Sequence, residues 1–490
     1  MSINKKRFSC AALICAEILL SARLMVAQDL EADIKINPNS PNIVQVSGRL
    51  LKKSPVNWFF TKTAASADNL GARIFDFQLF DRAHRAAAVK KLIDGEYLAD
   101  APAADFQYRI NLAPLPNAAA RAHVSWISGE QGILMLDDLL PQFSPDDQPP
   151  AALIKIELPA DWKIISGEKS TGGNVFEVKN VVKAVFAVGK GWRERKTAHF
   201  NWAISGEWRF SDDEAAQTAD EIGAGYEKLF GEMPGEKAQI MLAPLPKTAN
   251  FGRWEAETRG QTLTILSADK PFPAQSIQLL HEQLRHELFH LWIPNNLNLN
   301  GNYDWFYEGF TVYLGLRTGL RMNRIRFEDF LATLAEAYRL DNLQTTQISL
   351  LESSKNRWNG ANRQVYARGM LIAFLCDAAI IKSGKGGRSI ENLLREIYDA
   401  HRFPNEAANG NTAILSVLKK QKPLNAIVKK YVEGAEKIDW ESDLESFGIE
   451  AAAENSRAEL RVKAKLNGRQ KDLLDKLGYN NWRNISRKSK

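Results

Sequence analysis

From about Ala32 to about Asn201 the chain alternates apolar and polar residues in short runs. Examples are Ile43-Val44-Gln45-Val46, Phe106-Gln107-Tyr108-Arg109-Ile110, Ala152 to Leu158 and Val175 to Val182. Clusters of Pro, Gly, Asp and Asn separate them. A period of two broken by turn residues predicts the strands of a β-sandwich. The texture changes near Trp208. Ser211-Asp212-Asp213-Glu214 supplies a cap and an acidic first turn, which predicts a helix running to about Phe230. Ala238 to Leu242 and Gln261 to Ser267 read as strands. Ile277, Leu280, Leu284 and Leu288 then recur at helical spacing between Pro273 and Pro294. Trp305 to Tyr313 is a second, aromatic-rich helical stretch. Further helices are expected at Phe327 to Tyr338, Val365 to Lys382, Ser389 to His401 and Thr412 to Val432. From about Ser456 the chain is basic and polar, which suits a short appendage or a loosely ordered tail. The fold class is α+β, with a β-sandwich-like N-terminal domain and a helical C-terminal region.

At 490 residues there is room for about two or three domains. The N-terminus reads as a secretory leader over residues 1–27: Lys5, Lys6 and Arg7 precede an apolar run from Phe8 to Leu20, with a cut after Ala27. Glu17 interrupts the run, and the run is short for a bilayer. The expected location is therefore periplasmic or secreted, with no stable membrane span once the leader is removed. Cys10 and Cys15 would leave with it, so Cys376 would have no intrachain partner. The net charge of +6, set against 64 basic and 58 acidic residues, does not suggest nucleic-acid binding. The sequence leaves oligomeric state open.

The stretch that carries chemistry is His286-Glu287-Leu288-Phe289-His290. On a helix, residues four apart share a face, so His286 and His290 can place two imidazoles on one metal ion. Glu287 projects beside them and can take a proton from an attacking water. Glu308, in Trp305-Phe306-Tyr307-Glu308-Gly309, is the expected third ligand. Two His, one Glu and an open position make the catalytic pattern for one Zn²⁺ per chain. Asp304 reads equally as an acceptor behind a ligand or as a helix cap. His84, His123 and His199 show no ligand spacing and read as surface or core residues.

His286 to Trp292, Glu308-Gly309-Phe310-Thr311 with Tyr313, and Tyr366-Ala367-Arg368-Gly369 resemble the gluzincin zinc metallopeptidases, with the glycyl aminopeptidase family closest. Tyr431-Val432-Glu433-Gly434 and Phe447-Gly448-Ile449 resemble the end of that family's catalytic region. The likeness spans roughly Trp208 to Ile449. Patterning and resemblance together divide the chain into a leader at 1–27, a β-rich domain at 28–205 and, as the resemblance implies, a thermolysin-like catalytic domain at 206–324. A helical region at 325–450 would complete the active site, followed by a basic tail at 451–490. The chain departs from the family in three ways. The link from His290 to Glu308 is short. The segment matching the family's Gly-Gly-Leu-Glu-His is Gly252-Arg253-Trp254-Glu255-Ala256, with Ala in place of His. Too little chain follows Ile449 for a full PDZ domain.

The resemblance implies hydrolysis of a peptide substrate, with Glu287 as general base and Tyr366 as donor to the developing oxyanion. The alternative for Tyr366 is a core aromatic. Glu255 would bind a free α-amino group and make the enzyme an aminopeptidase, although Glu257 lies close enough for the same task and either acid reads equally as an ordinary loop residue. Gln261 to Ser267 is expected to be the edge strand that pairs with an extended substrate. Gly369 would let another backbone approach. Two other functions fit the sequence: a zinc endopeptidase, and a catalytically silent binding module on the same scaffold, which would have no use for Glu287.

Overall fold

A computed structural model describes residues 28–65, 67–142, 149–245, 253–344, 346–454 and 457–480. The leader reading therefore lies outside the described residues, as do Gly252 and residues 481–490. The N-terminal part is β-rich and the C-terminal part helical, as the patterning predicts. Leu30–Ile36 alternates buried and exposed positions along its whole length. It sits inside an eight-stranded sheet, paired parallel with Ala152–Glu157 and antiparallel with Ile43–Leu50. A four-stranded sheet packs on it. Leu134, Phe186 and Val188 of that smaller sheet face the large one. Ile133, Met135, Val185 and Ala187 face the other way, onto Met241, Ala243 and Leu266. The smaller sheet is thus apolar on both faces and joins the two halves of the molecule.

The five-stranded sheet beneath the functional site runs Arg193–Lys196, Phe200–Ile204, Ala238–Pro244, Thr262–Ser267, Trp254–Arg259. Its first two strands precede Trp208, so this sheet recruits residues that the sequence groups with the β-rich segment ending at 205. Thr262–Ser267 is buried throughout and lies between Ala238–Pro244 and Trp254–Arg259. The expected edge strand is therefore an inner strand, and Trp254–Arg259 is the edge. All six residues of that edge are half-buried. Their charged composition hides the strand from periodicity, and charge is what an exposed edge needs to avoid unwanted pairing.

The Asp212–Phe230 helix opens on the expected cap, a reciprocal box between Ser211 and Glu214. Pro273 is the first residue of the Pro273–Glu287 helix, where its missing N–H costs nothing. That helix ends sooner than expected: Phe289–Leu291 is a 3₁₀ turn, so His290 lies on the tightened last turn. The span expected as one helix from Thr412 to Val432 breaks after Lys420, in the segment that holds Pro423, and ends in a π-helical turn over Val428–Glu433. The segment expected as a tail is folded over most of its length. Ile449–Glu454 and Arg457–Val462 form a hairpin, and Leu473, Leu474 and Leu477 of the Gly468–Leu477 helix are buried in the main core.

Asn362–Ser383 is the one helix among the described residues long and apolar enough to cross a membrane, and it is buried in the core. It meets the Gly309–Arg321 helix at a glycine pair. A Cβ on Gly369 would lie 2.7 Å from the Trp305 carbonyl oxygen and 2.9 Å from the Cα of Gly309. The close backbone approach expected at Gly369 is therefore present. Gly369→Ala should lower stability by about 1–3 kcal/mol, as overpacked cores do. An unchanged thermal midpoint would show that the two backbones are not in tight contact.

Candidate metal centre and active-site cleft

His286, His290 and Glu308 converge, their ligand atoms within 4.8 Å of one another. The two Nε2 atoms are 3.2 Å apart. Glu308 Oε2 lies 3.3 Å from Nε2 of His286 and 3.6 Å from that of His290. This oxygen is buried and has no hydrogen-bond partner. His290 directs Nδ1 at the Ile293 carbonyl, 3.0 Å away, which puts its proton there and leaves the Nε2 lone pair facing the cluster. Burial alone would raise the Glu308 carboxyl. The Arg357 guanidinium and the two imidazoles overcome that and hold it well below the usual carboxylate range. An orphaned carboxylate oxygen between two imidazole nitrogens fits a divalent cation of the zinc type.

Glu287 is buried beside the cluster and lines the cleft. Its Oε2 accepts from Thr258 Oγ1 at 2.7 Å, which ties it to the edge strand. The same end of that strand is held by Asn295, whose Nδ2 donates to the carbonyls of Thr258 and Gly260. Tyr366 stacks on His286 with centroids 6.3 Å apart and accepts from Arg357 Nη2 at 2.8 Å. Burial, and then the charge of Glu308, push its phenol well above the ordinary value, so it stays a neutral donor. It is a cleft residue and not merely a core aromatic.

The structure modifies several expectations. Glu255 is not a free acid: Arg253 reaches it at 2.8 Å. Glu257 is paired with His123 at 2.8 Å and with Arg259 at 3.2 Å, and their charges overcome burial and lower its carboxyl. His123 therefore belongs to the cleft, contributed by the N-terminal domain. Its role depends on a contact 134 residues away, and no local spacing announces that. Asp304 is the first helical residue after Tyr303 and accepts from Arg357 Nη1 at 2.9 Å, so it acts on the cluster through that arginine. Arg357 and Thr258 belong to no motif, and reading the sequence missed both. The cleft has a volume of about 1190 Å³, and both domains line it.

No family model matches the chain, and no curated protein does. Solved structures do. An aminopeptidase N family protein from Idiomarina loihiensis superposes with a TM-score of 0.73 at 16% identity, over 90% of this chain and 82% of that one. The chain has the fold of the M1 metallopeptidases. A second neighbour, an M1 zinc metallopeptidase from Deinococcus radiodurans, gives 0.54 at 13% identity over 84% of this chain and 95% of that one. A point mutant of that same metallopeptidase, solved with a Tyr-Ser-Ala substrate bound, gives 0.53 at 14% identity over the same shares. At these identities the likeness establishes the architecture: a β-rich N-terminal domain, a sheet-and-helix centre and a helical C-terminal region.

Proposed function

We propose that the protein is a zinc-dependent aminopeptidase acting on peptides in the periplasm or outside the cell. The observation that carries this reading is the buried, unpartnered Oε2 of Glu308 facing two imidazole nitrogens, with the Glu287 carboxylate alongside. Bound there by His286, His290 and Glu308, one Zn²⁺ would supply Lewis-acid polarisation of the scissile carbonyl and the attacking water. The chain's own residues do the rest. Glu287, held by Thr258, accepts the water proton and returns it to the leaving nitrogen. Tyr366 donates to the carbonyl oxygen as charge develops on it. The half-buried edge strand Trp254–Arg259 offers backbone groups to an extended peptide.

The amine-binding acid in this reading is Glu255. Its partner Arg253 is more than a third exposed, and a surface pair of that kind is weak enough for an ammonium to displace. Glu257 is committed to His123 and Arg259 at the junction of the domains. Tripeptides with a free N-terminus should be cleaved roughly thirty- to a hundred-fold faster than the same peptides acetylated, as loss of one charge-assisted pair implies. Glu255→Ala should abolish that preference and Glu257→Gln should keep it. Equal cleavage of free and blocked peptides by the wild type would favour the endopeptidase alternative. Export rests on the Lys5 to Leu20 leader pattern. It is checked by N-terminal sequencing of the mature protein, expected to begin at Gln28.

A further inference from the structure

One residue outside the motifs connects the metal-ligand set to the hydroxyl donor. Arg357 Nη2 lies 3.0 Å from Glu308 Oε1 and 2.8 Å from Tyr366 Oη. Its Nη1 lies 2.9 Å from Asp304 Oδ1, and its Nε donates to Asn362 Oδ1 at 3.2 Å. The Trp358 ring packs against the guanidinium at 4.5 Å. The side chain is about one-tenth exposed. Asp304, Asn362 and Trp358 therefore hold the fork in a single orientation, and Nη2 is left to serve two acceptors.

That arrangement divides the oxygens of Glu308. Oε1 is taken by the guanidinium, while Oε2 has no hydrogen bond and faces both imidazoles. A carboxylate without such a clamp can turn and present both oxygens to a cation. The same nitrogen also constrains Tyr366. A phenol has one proton and two lone pairs, and Arg357 donates into a lone pair, so the proton must point elsewhere. With substrate present it can turn to the carbonyl oxygen, and donation from a cation into the phenol oxygen strengthens the O–H as a donor.

We propose that Arg357 is a positioning residue that assigns the coordinating oxygen of Glu308 and aims the hydroxyl of Tyr366, both through Nη2. The proposal rests on the zinc-peptidase reading. Lysine cannot replace it, because an ammonium on a flexible stem lacks the planar fork that spans Asp304, Glu308 and Tyr366.

The test compares Arg357→Lys, Arg357→Ala, Tyr366→Phe and the Arg357→Ala/Tyr366→Phe double variant. In Arg357→Lys, zinc affinity measured by chelator competition should fall roughly ten- to a hundred-fold, the usual effect of removing a partner behind a ligand. The visible spectrum of the Co²⁺-substituted protein should change as Glu308 is freed to use both oxygens. The kcat should fall at least about tenfold while KM stays within about threefold, because the hydroxyl acts chiefly in the transition state. Guanidinium added at non-denaturing concentration should restore part of the kcat of Arg357→Ala, but not that of the double variant. Wild-type zinc affinity, cobalt spectrum and kcat in Arg357→Lys would overturn the proposal. So would guanidinium rescue that is equal in the two Ala backgrounds. If Arg357→Ala does not fold, the affinity and spectrum of Arg357→Lys decide the matter. Failure of the underlying reading would appear instead in the wild type, which would neither bind zinc nor cleave peptides, and the proposal would fall with it.

Discussion

Glu287→Gln should keep its zinc and lose roughly 10²- to 10⁴-fold in kcat, the range that a positioned general base supplies. The substitution preserves shape, and Thr258 Oγ1, now 2.7 Å from Oε2, can donate equally well to an amide oxygen. Neither ligand histidine is touched, so the metal cluster should be unaffected. Elemental analysis should return about one zinc per chain in both proteins, with similar thermal midpoints. The kcat loss should appear undiminished in kcat/KM, because proton transfer belongs to the transition state and not to substrate binding. Near-normal turnover would remove Glu287 from the role of base. Absence of turnover in the wild type as well would favour the silent binding module.

How much of this site is legible in the sequence depends on how local each contact is. His286 and His290 are four residues apart on one helical segment, so their spacing alone pairs them, and Glu308 is legible from the Trp305–Gly309 motif that the fold brings back to them. Local rules fix Ser211 as a cap and Asp105–Asn111, which holds the Phe106–Ile110 run, as a half-buried strand, and both are readable. The early end of the helix before His290 is not, because Leu288 is an ordinary helical residue whose successors tighten only in the folded turn.

Arg357 illustrates the larger gap. Its guanidinium is held by Asp304, 53 residues away, and it sits beside Trp358 in a stretch with no periodicity. In one dimension it looks like any loop arginine, and only burial against Glu308 gives it meaning. His123 is the same case across domains. The edge strand shows a different limit: Trp254–Arg259 carries charge because it is an edge, and that charge makes it read as loop. The hidden residues are therefore those whose partners come from other elements, and in this cleft they are the polar groups that set orientation and substrate preference.

His290→Ala should reduce zinc from about one per chain to near none after dialysis against a weak chelator. The imidazole it removes has Nδ1 fixed on the Ile293 carbonyl, so its Nε2 is already aimed before any ion arrives. The ligands left, His286 and Glu308, have one nitrogen and one free oxygen 3.3 Å apart, too few donors to hold the ion tightly. Stability gives an independent readout. A ligand that binds only the folded state stabilises it by about 2.7 kcal/mol when present at a hundred times its Kd. Chelation should therefore lower the thermal midpoint of the wild type and leave that of the variant unchanged. The variant's midpoint should lie near that of the chelated wild type, since both lack the ion. Hydrolysis should fall to background, and added zinc should not restore it at concentrations that saturate the wild type. Equal zinc content in the two proteins would show that His290 is not a ligand. A chelator-sensitive midpoint in the variant would place the bound ion elsewhere in the chain.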